Sequence, residues 1–219
     1  MSIRTSSDLI RKVDEQLIWR RKELTELKGL IEISGKNHTR QQMLIRAGIA
    51  LLYAHWEGFV KRTGTYLLDF VSMQRHTSAE LTTNFVSVVF KKRLNEASKS
   101  KKFSVVGDIV DFFYTKMNAR TRIVTDDVIE TNSNLSTTVL LEILWILGID
   151  ERPFLTKMII IDERLVQKRN FVAHGEVLSM SVDDYLALHE EVLALLELFR
   201  NQIENACVEK TYLRNLQSP

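Results

Sequence analysis

The amino-acid sequence predicts an all-α protein, a bundle of five or more helices, on three observations. Breakers are scarce: Pro153 and Pro219 are its two prolines, beside eight glycines in 219 residues, so little interrupts a long helix. Apolar residues recur at three- and four-residue intervals, the spacing that lays a stripe along one helix face. Connections are mostly short and place Ser, Asp, Asn and Gly where helices start and stop. Hydrophobic residues at 45% and charged residues at 26% make an ordinary globular balance, in a chain long enough to bury a core without staples.

The elements follow in order. Residues 7–33 read as a first helix: Ile10, Val13, Leu17, Leu24, Leu27 and Ile31 share a stripe that Arg20 interrupts. Ser6, Ser7 or Asp8 would cap it, and Gly35 lies just past its end. The second helix, roughly 38–73, is apolar around much of its circumference between Ala47 and Phe70, which marks a central element. Gly48, Gly58 and Gly64 within it point to a close neighbour or a kink, since glycine weakens a helix.

Residues 75–133 read less clearly. Helices are expected over Asn84–Leu94 and Phe103–Met117, with loops over KKRLNEASKSKK between them and over the Thr- and Asp-rich stretch 121–133. This middle region is open to being an insertion into the bundle. Next, Leu135–Leu147 reads as a helix capped by Asn134 or Ser133 and stopped at Gly148. Residues 153–161 fit either a helix or a short extended run. Asp162 is expected to cap a helix that ends near His174, with Gly175 as its C′ residue. Ser181 and Asp184, a variant capping box, open the last helix, which carries Leu188, Val192, Leu195, Leu196, Phe199 and Ile203 to about residue 208. The whole chain, 1–219, is read as one domain.

Several function classes fall away. A formal charge of +2 means that nucleic-acid binding must come from a local patch. The lone Cys207 leaves no internal disulfide and no zinc–cysteine cluster. His38, His55, His76 and His189 form no pair at metal-ligand spacing, so neither metal nor other cofactor is expected. No glycine-rich phosphate loop is present. The amino-terminal residues carry charges where a signal peptide needs an apolar core. The most apolar run, Val139–Ile149, is too short for a bilayer and contains Glu142. The reducing cytoplasm is the expected compartment, without membrane attachment.

Chemistry concentrates in ERLVQKRNFVAHGE, where four residues separate Arg169 from His174. The segment closes as Ala-His-Gly and precedes a long amphipathic helix. RNFVAHG resembles the R-N-x-x-x-H-G signature of the HEPN superfamily. A second stretch, LLYAHWEGFVK at Leu51–Lys61, is similar to the Trp-Glu segment of a toxin-linked HEPN branch. The resemblance spans about residues 40–200, and 75–133 carries none of its patterns.

That resemblance implies a HEPN-like helical domain acting as a metal-independent endoribonuclease, a toxin or antiviral effector cutting cellular RNA. It implies a homodimer whose two Arg/His motifs face each other across a cleft, and an antitoxin protein encoded elsewhere. His174 suits the acid/base role, because imidazole titrates near neutrality. Arg169 suits the phosphate clamp, because guanidinium remains charged and grips oxygens in pairs. Asn170 would orient His174 or bond a phosphate oxygen, and Glu57, set among Tyr53, Trp56 and Phe59, would support the site or pair with Arg169. Positions five apart lie about 140° apart on an ideal helix, so the helix must loosen or end at His174.

The run Lys91, Lys92, Arg93, Lys99, Lys101 and Lys102, opposed only by Glu96, would track an RNA backbone or serve as a solvated face. Two other classes stay open at this stage. One is a catalytically inactive HEPN-like dimeric module that binds RNA, a nucleotide or a protein. The other is a purely structural dimerisation bundle.

Overall fold

Helix α1 (Ser6–Ile33) opens on a reciprocal capping box in the computed structural model, which describes residues 3–35, 37–100 and 102–214 except the side chain of Lys92. The Thr5 hydroxyl accepts from the N–H of Asp8, and the Asp8 carboxylate accepts from the N–H of Thr5. The cap is therefore Thr5 rather than Ser6, Ser7 or Asp8. Arg20 does not interrupt the buried stripe either. Only 5% exposed, it donates to the carbonyl and side-chain oxygens of Gln16 at 2.9 and 2.7 Å and stacks on Trp19.

Helix α2 (His38–Met73) is the central element, packed against α1, α8 (Val182–Val208), α7 (Lys168–Ala173) and α5 (Thr137–Leu147). Trp56 and Phe59 meet Phe199 of α8 edge to face, with ring centroids 6.1 and 6.3 Å apart. Two of its glycines mark close neighbours. A Cβ on Gly48 would meet the Tyr185 ring, and one on Gly64 would lie 3.2 Å from Leu147.

In the middle region, α3 (Thr83–Lys99) and α4 (Phe103–Asp111) appear, followed by a π-helical turn, Phe112–Lys116. Helix α3 runs well into KKRLNEASKSKK, which was expected to be loop. Leu, Ala, Glu, Lys and Arg there are strong helix formers, and Leu94, Glu96 and Ala97 extend the turn begun by Phe90. Leu81, Phe85, Ile123 and Ile129 join the main core, while α4 buries none of its own residues.

The N-cap of α5 is Ser136, whose hydroxyl accepts from the N–H of Val139, rather than Ser133 or Asn134. Ser133 has a left-handed φ of 55°, whereas an N-cap needs the extended backbone that Ser136 has. Gly148, at φ 64°, ends α5 as expected. Residues 153–161 are helical apart from a turn at Thr156 and Lys157: α6 (Arg152–Leu155) is followed by a π-helical segment, Ile160–Gln167, that runs straight into α7. Asp162 thus lies inside a helix and caps another. Its carboxylate accepts from the N–H of Thr137, the first residue of α5. Among the described residues there is no strand, only two isolated bridges, and no helix is long and apolar enough to cross a membrane.

Candidate active site

Helix α7 is only six residues long, and it rests on α2. That placement turns Arg169 inward and leaves His174 at the outer end. The guanidinium carbon of Arg169 lies 3.9 Å from the centroid of the Tyr53 ring, within the range of a strong cation–π contact. Its Nη2 donates to the carbonyl oxygen of Ser133. Its Nε is buried without a hydrogen-bond partner. Among the described residues, no carboxylate stands within 4.0 Å of this guanidinium. The site therefore holds a positive charge with a neutral acceptor and a ring face, and leaves it available to an anion.

Tyr53 and Glu57, one turn apart on α2, together hold the loop ahead of α5. The Tyr53 hydroxyl accepts from the N–H of Leu135 at 2.8 Å, and burial pushes that hydroxyl's pKa up. The Glu57 carboxylate accepts from the hydroxyl of Thr131. Thr131, Ser133 and Leu135 are therefore tied to Glu57, Arg169 and Tyr53 in turn. Between these ties Asn132 and Ser133 have φ of 49° and 55°, a conformation that L-residues adopt at a cost of about 1 kcal/mol or more each. The three anchors are what hold it.

His174 is exposed at the C-cap of α7, where its N–H donates to the Asn170 carbonyl at 2.9 Å. Gly175, at φ 72°, donates to Val172, and Glu176 donates to Phe171, which together form a Schellman ending. A Cβ on Gly175 would meet nothing, so the glycine serves the left-handed turn alone. The helix does end at His174, as the signature requires. The loosening lies upstream, in the π-helical segment, so Arg169 and His174 themselves keep α-helical spacing and face apart. Asn170 is half-buried, and its side chain makes no hydrogen bond among the described residues.

The basic segment sits elsewhere on the chain. Lys91, Arg93 and Lys99 line a cleft of about 640 Å³ with Arg122, but so do Glu96, Asp126, Asp127 and Glu130. Arg93 also stacks on Phe112, and Lys102 is the exposed cap position of α4. Lys101 and the side chain of Lys92 lie outside the described residues. Helix α3 packs on α4 and α5, whereas α7 packs on α2. Among the described residues no group of three or more His, Cys, Asp or Glu side chains could hold a metal ion.

From the sequence Tyr53 stood out only as a neighbour of Glu57 and Ser133 only as a possible helix cap, and Thr131 was not singled out. For Tyr53 a signal existed, since the i, i+4 spacing of Tyr53 and Glu57 puts both on one face of α2. Nothing local marks Thr131 or Ser133.

A family model described as RiboL-PSP-HEPN matches residues 15–205, a span that holds Tyr53, Glu57, the anchored loop, Arg169 and His174. The chain belongs to the RiboL-PSP-HEPN family. The same match spans the middle region, α3 and α4 included. A search of the curated proteins and of the solved structures finds no match.

Proposed function

We propose that this RiboL-PSP-HEPN chain is a metal-independent endoribonuclease, a toxin or antiviral-defence effector that cuts cellular RNA as a homodimer. The observation that carries this reading is Arg169: a guanidinium fixed on an aromatic face, with no carboxylate within 4.0 Å among the described residues, five residues before an exposed imidazole. Such a cation stabilises the extra negative charge of a five-coordinate phosphorus.

In the reaction, a neutral His174 takes the proton of a ribose 2′-hydroxyl, and that oxygen attacks the adjacent phosphorus. A protonated His174 from the other subunit gives its proton to the departing 5′-oxygen. The products are a 2′,3′-cyclic phosphate and a 5′-hydroxyl. Two imidazoles are needed, and each chain offers one, His174 at the end of the helix that carries Arg169. Phe171 and Val177, 37% and 94% exposed on either side of His174, supply apolar surface for a second copy to cover. Asn170 and Glu57 have supporting roles, Asn170 beside the phosphate and Glu57 through the loop.

Purified protein is incubated with total RNA and tRNA in EDTA, beside Arg169→Ala and His174→Ala. Cleavage by wild type alone, with cyclic-phosphate ends, is the expected result. One observation favours a second reading: Ser133 already occupies Nη2 of Arg169. RNA binding that depends on Arg169 without any cleavage would identify a catalytically inactive binding module.

A further inference from the structure

We infer that Tyr53 is a positioning residue for Arg169, its ring face fixing the guanidinium that would meet the RNA phosphate. The inference rests on the nuclease reading for its consequence, though not for the contact itself. Tyr53 is 4% exposed and would pass for core, yet two of its features face the site. Its ring lies under the guanidinium at 3.9 Å, and its hydroxyl fixes Leu135, two residues from the carbonyl that Arg169 binds.

The geometry separates what ring and hydroxyl do. An arginine side chain has four rotatable bonds, and here neither an ion pair nor a bond from Nε restrains it. Among the described residues, the Tyr53 side chain and the Ser133 carbonyl limit where the guanidinium lies. With the guanidinium carbon 3.9 Å from the ring centroid, the ring closes one side of the ion, and the N–H groups left open are what grip phosphate oxygens. Because the ring is buried on α2, the central helix of the bundle, it gives Arg169 a fixed floor. The side chain's entropy is thus lost on folding rather than when the transition state forms. The hydroxyl acts at one remove, by holding the loop whose Ser133 carbonyl sets the guanidinium's rotation in the plane of the ring.

The test uses the full chain labelled with ¹⁵N and the variants Tyr53→Phe and Tyr53→Leu. The Nε–H resonance of Arg169, assigned by its loss in Arg169→Lys, should be displaced upfield by the ring in wild type and in Tyr53→Phe, and should return to an ordinary position in Tyr53→Leu. Cleavage by Tyr53→Phe, which keeps the ring but releases the Leu135 N–H, should fall less than cleavage by Tyr53→Leu. In Tyr53→Leu, kcat should fall by roughly five- to thirtyfold, the worth of one desolvated cation–π contact, with KM little changed. A merely structural residue would instead lower the amount of folded protein and leave kcat per folded molecule intact. An undisplaced resonance in wild type overturns the inference without any variant, as does a folded Tyr53→Leu that cleaves at the wild-type kcat. If wild type cleaves no RNA, the nuclease reading falls, and the resonance alone decides whether Tyr53 positions Arg169.

Discussion

The carboxylate of Asp162 accepts a hydrogen bond from the backbone N–H of Thr137 at 2.7 Å. The π-helical segment that leads to Arg169 is thereby tied to the start of α5, directly after the loop that Arg169 and Tyr53 hold. A negative charge at the first residue of a helix meets unpaired N–H groups and the positive end of the helix dipole. Asp162→Ala should cost about 1–2 kcal/mol, as the loss of a side-chain cap does, read as a lower urea midpoint at unchanged slope. Asp162→Asn keeps an acceptor and should lose less. Equal losses in the two variants would mean that packing, not the cap, explains the cost.

Gly48 and Tyr185 approach closely between α2 and α8. A Cβ built on residue 48 would stand 2.6 Å from the ring and 2.7 Å from the hydroxyl oxygen of Tyr185, a side chain with no exposure. Gly48→Ala should therefore destabilise by about 1–3 kcal/mol, despite the ~1 kcal/mol that alanine gains over glycine within a helix. Burial pushes the Tyr185 hydroxyl up to about 12, and its oxygen has no hydrogen-bond partner. Tyr185→Phe should then be neutral or stabilising and should recover part of the Gly48→Ala loss. Thermal melts of the two single variants and the double variant give the coupling.

Much of this architecture was legible in the residues, and the gaps have physical causes. The long amphipathic helices, the Gly148 and Gly175 stops and the Ser181 cap depend on neighbours within one or two turns, so local pattern suffices. Asp162 was misplaced because its carboxylate serves a helix 25 residues earlier, and a capping residue's sequence does not say which helix it caps. KKRLNEASKSKK was taken as loop on its charge, although charge and helix propensity are compatible for Lys, Arg and Glu. Arg169, Asn170 and His174 could be named from their signature. Tyr53 and Ser133 come to Arg169 across separations of 116 and 36 residues, counted from their numbers, and such contacts leave no local trace.

Two buried histidines set a pH limit on stability. Burial holds His55 below its usual range, with Arg20 adding to the effect and Glu23 opposing it. Burial likewise lowers His189, opposed by Glu190 and reinforced by Lys28. Both folded pKa values thus lie under the unfolded value of about 6.5. Above that pH the rings are neutral in both states, and their full contribution is present. As pH falls below about 6.5, the unfolded chain takes up protons that the native state refuses, so stability declines toward the folded values. Urea midpoints at pH 7.5 and 5.5 should show this decline, and His55→Gln with His189→Gln should flatten it. An unchanged decline in the double variant would place its source elsewhere.

The basic segment makes a prediction separable from the chemistry at Arg169. Lys91, Lys99 and Lys102 are exposed, and the first two line a cleft that also holds Glu96, Asp126, Asp127 and Glu130. Cations that contact single-stranded RNA release counterions, about 0.7 in the salt slope for each phosphate. The triple variant Lys91→Ala, Lys99→Ala, Lys102→Ala should therefore lower the slope of log affinity against log salt by about 2. Cleavage at saturating RNA should stay at the wild-type rate, because α3 packs on α4 and α5 while the helix of Arg169 packs on α2. The salt series is run with an RNA of fixed length on wild type, the triple variant and Arg169→Ala. An unchanged slope would make the segment a solvated face whose acids already balance its lysines. A reduced rate at saturation would instead bring the segment into the active site, as the other subunit's α3 reaching across a dimer would do.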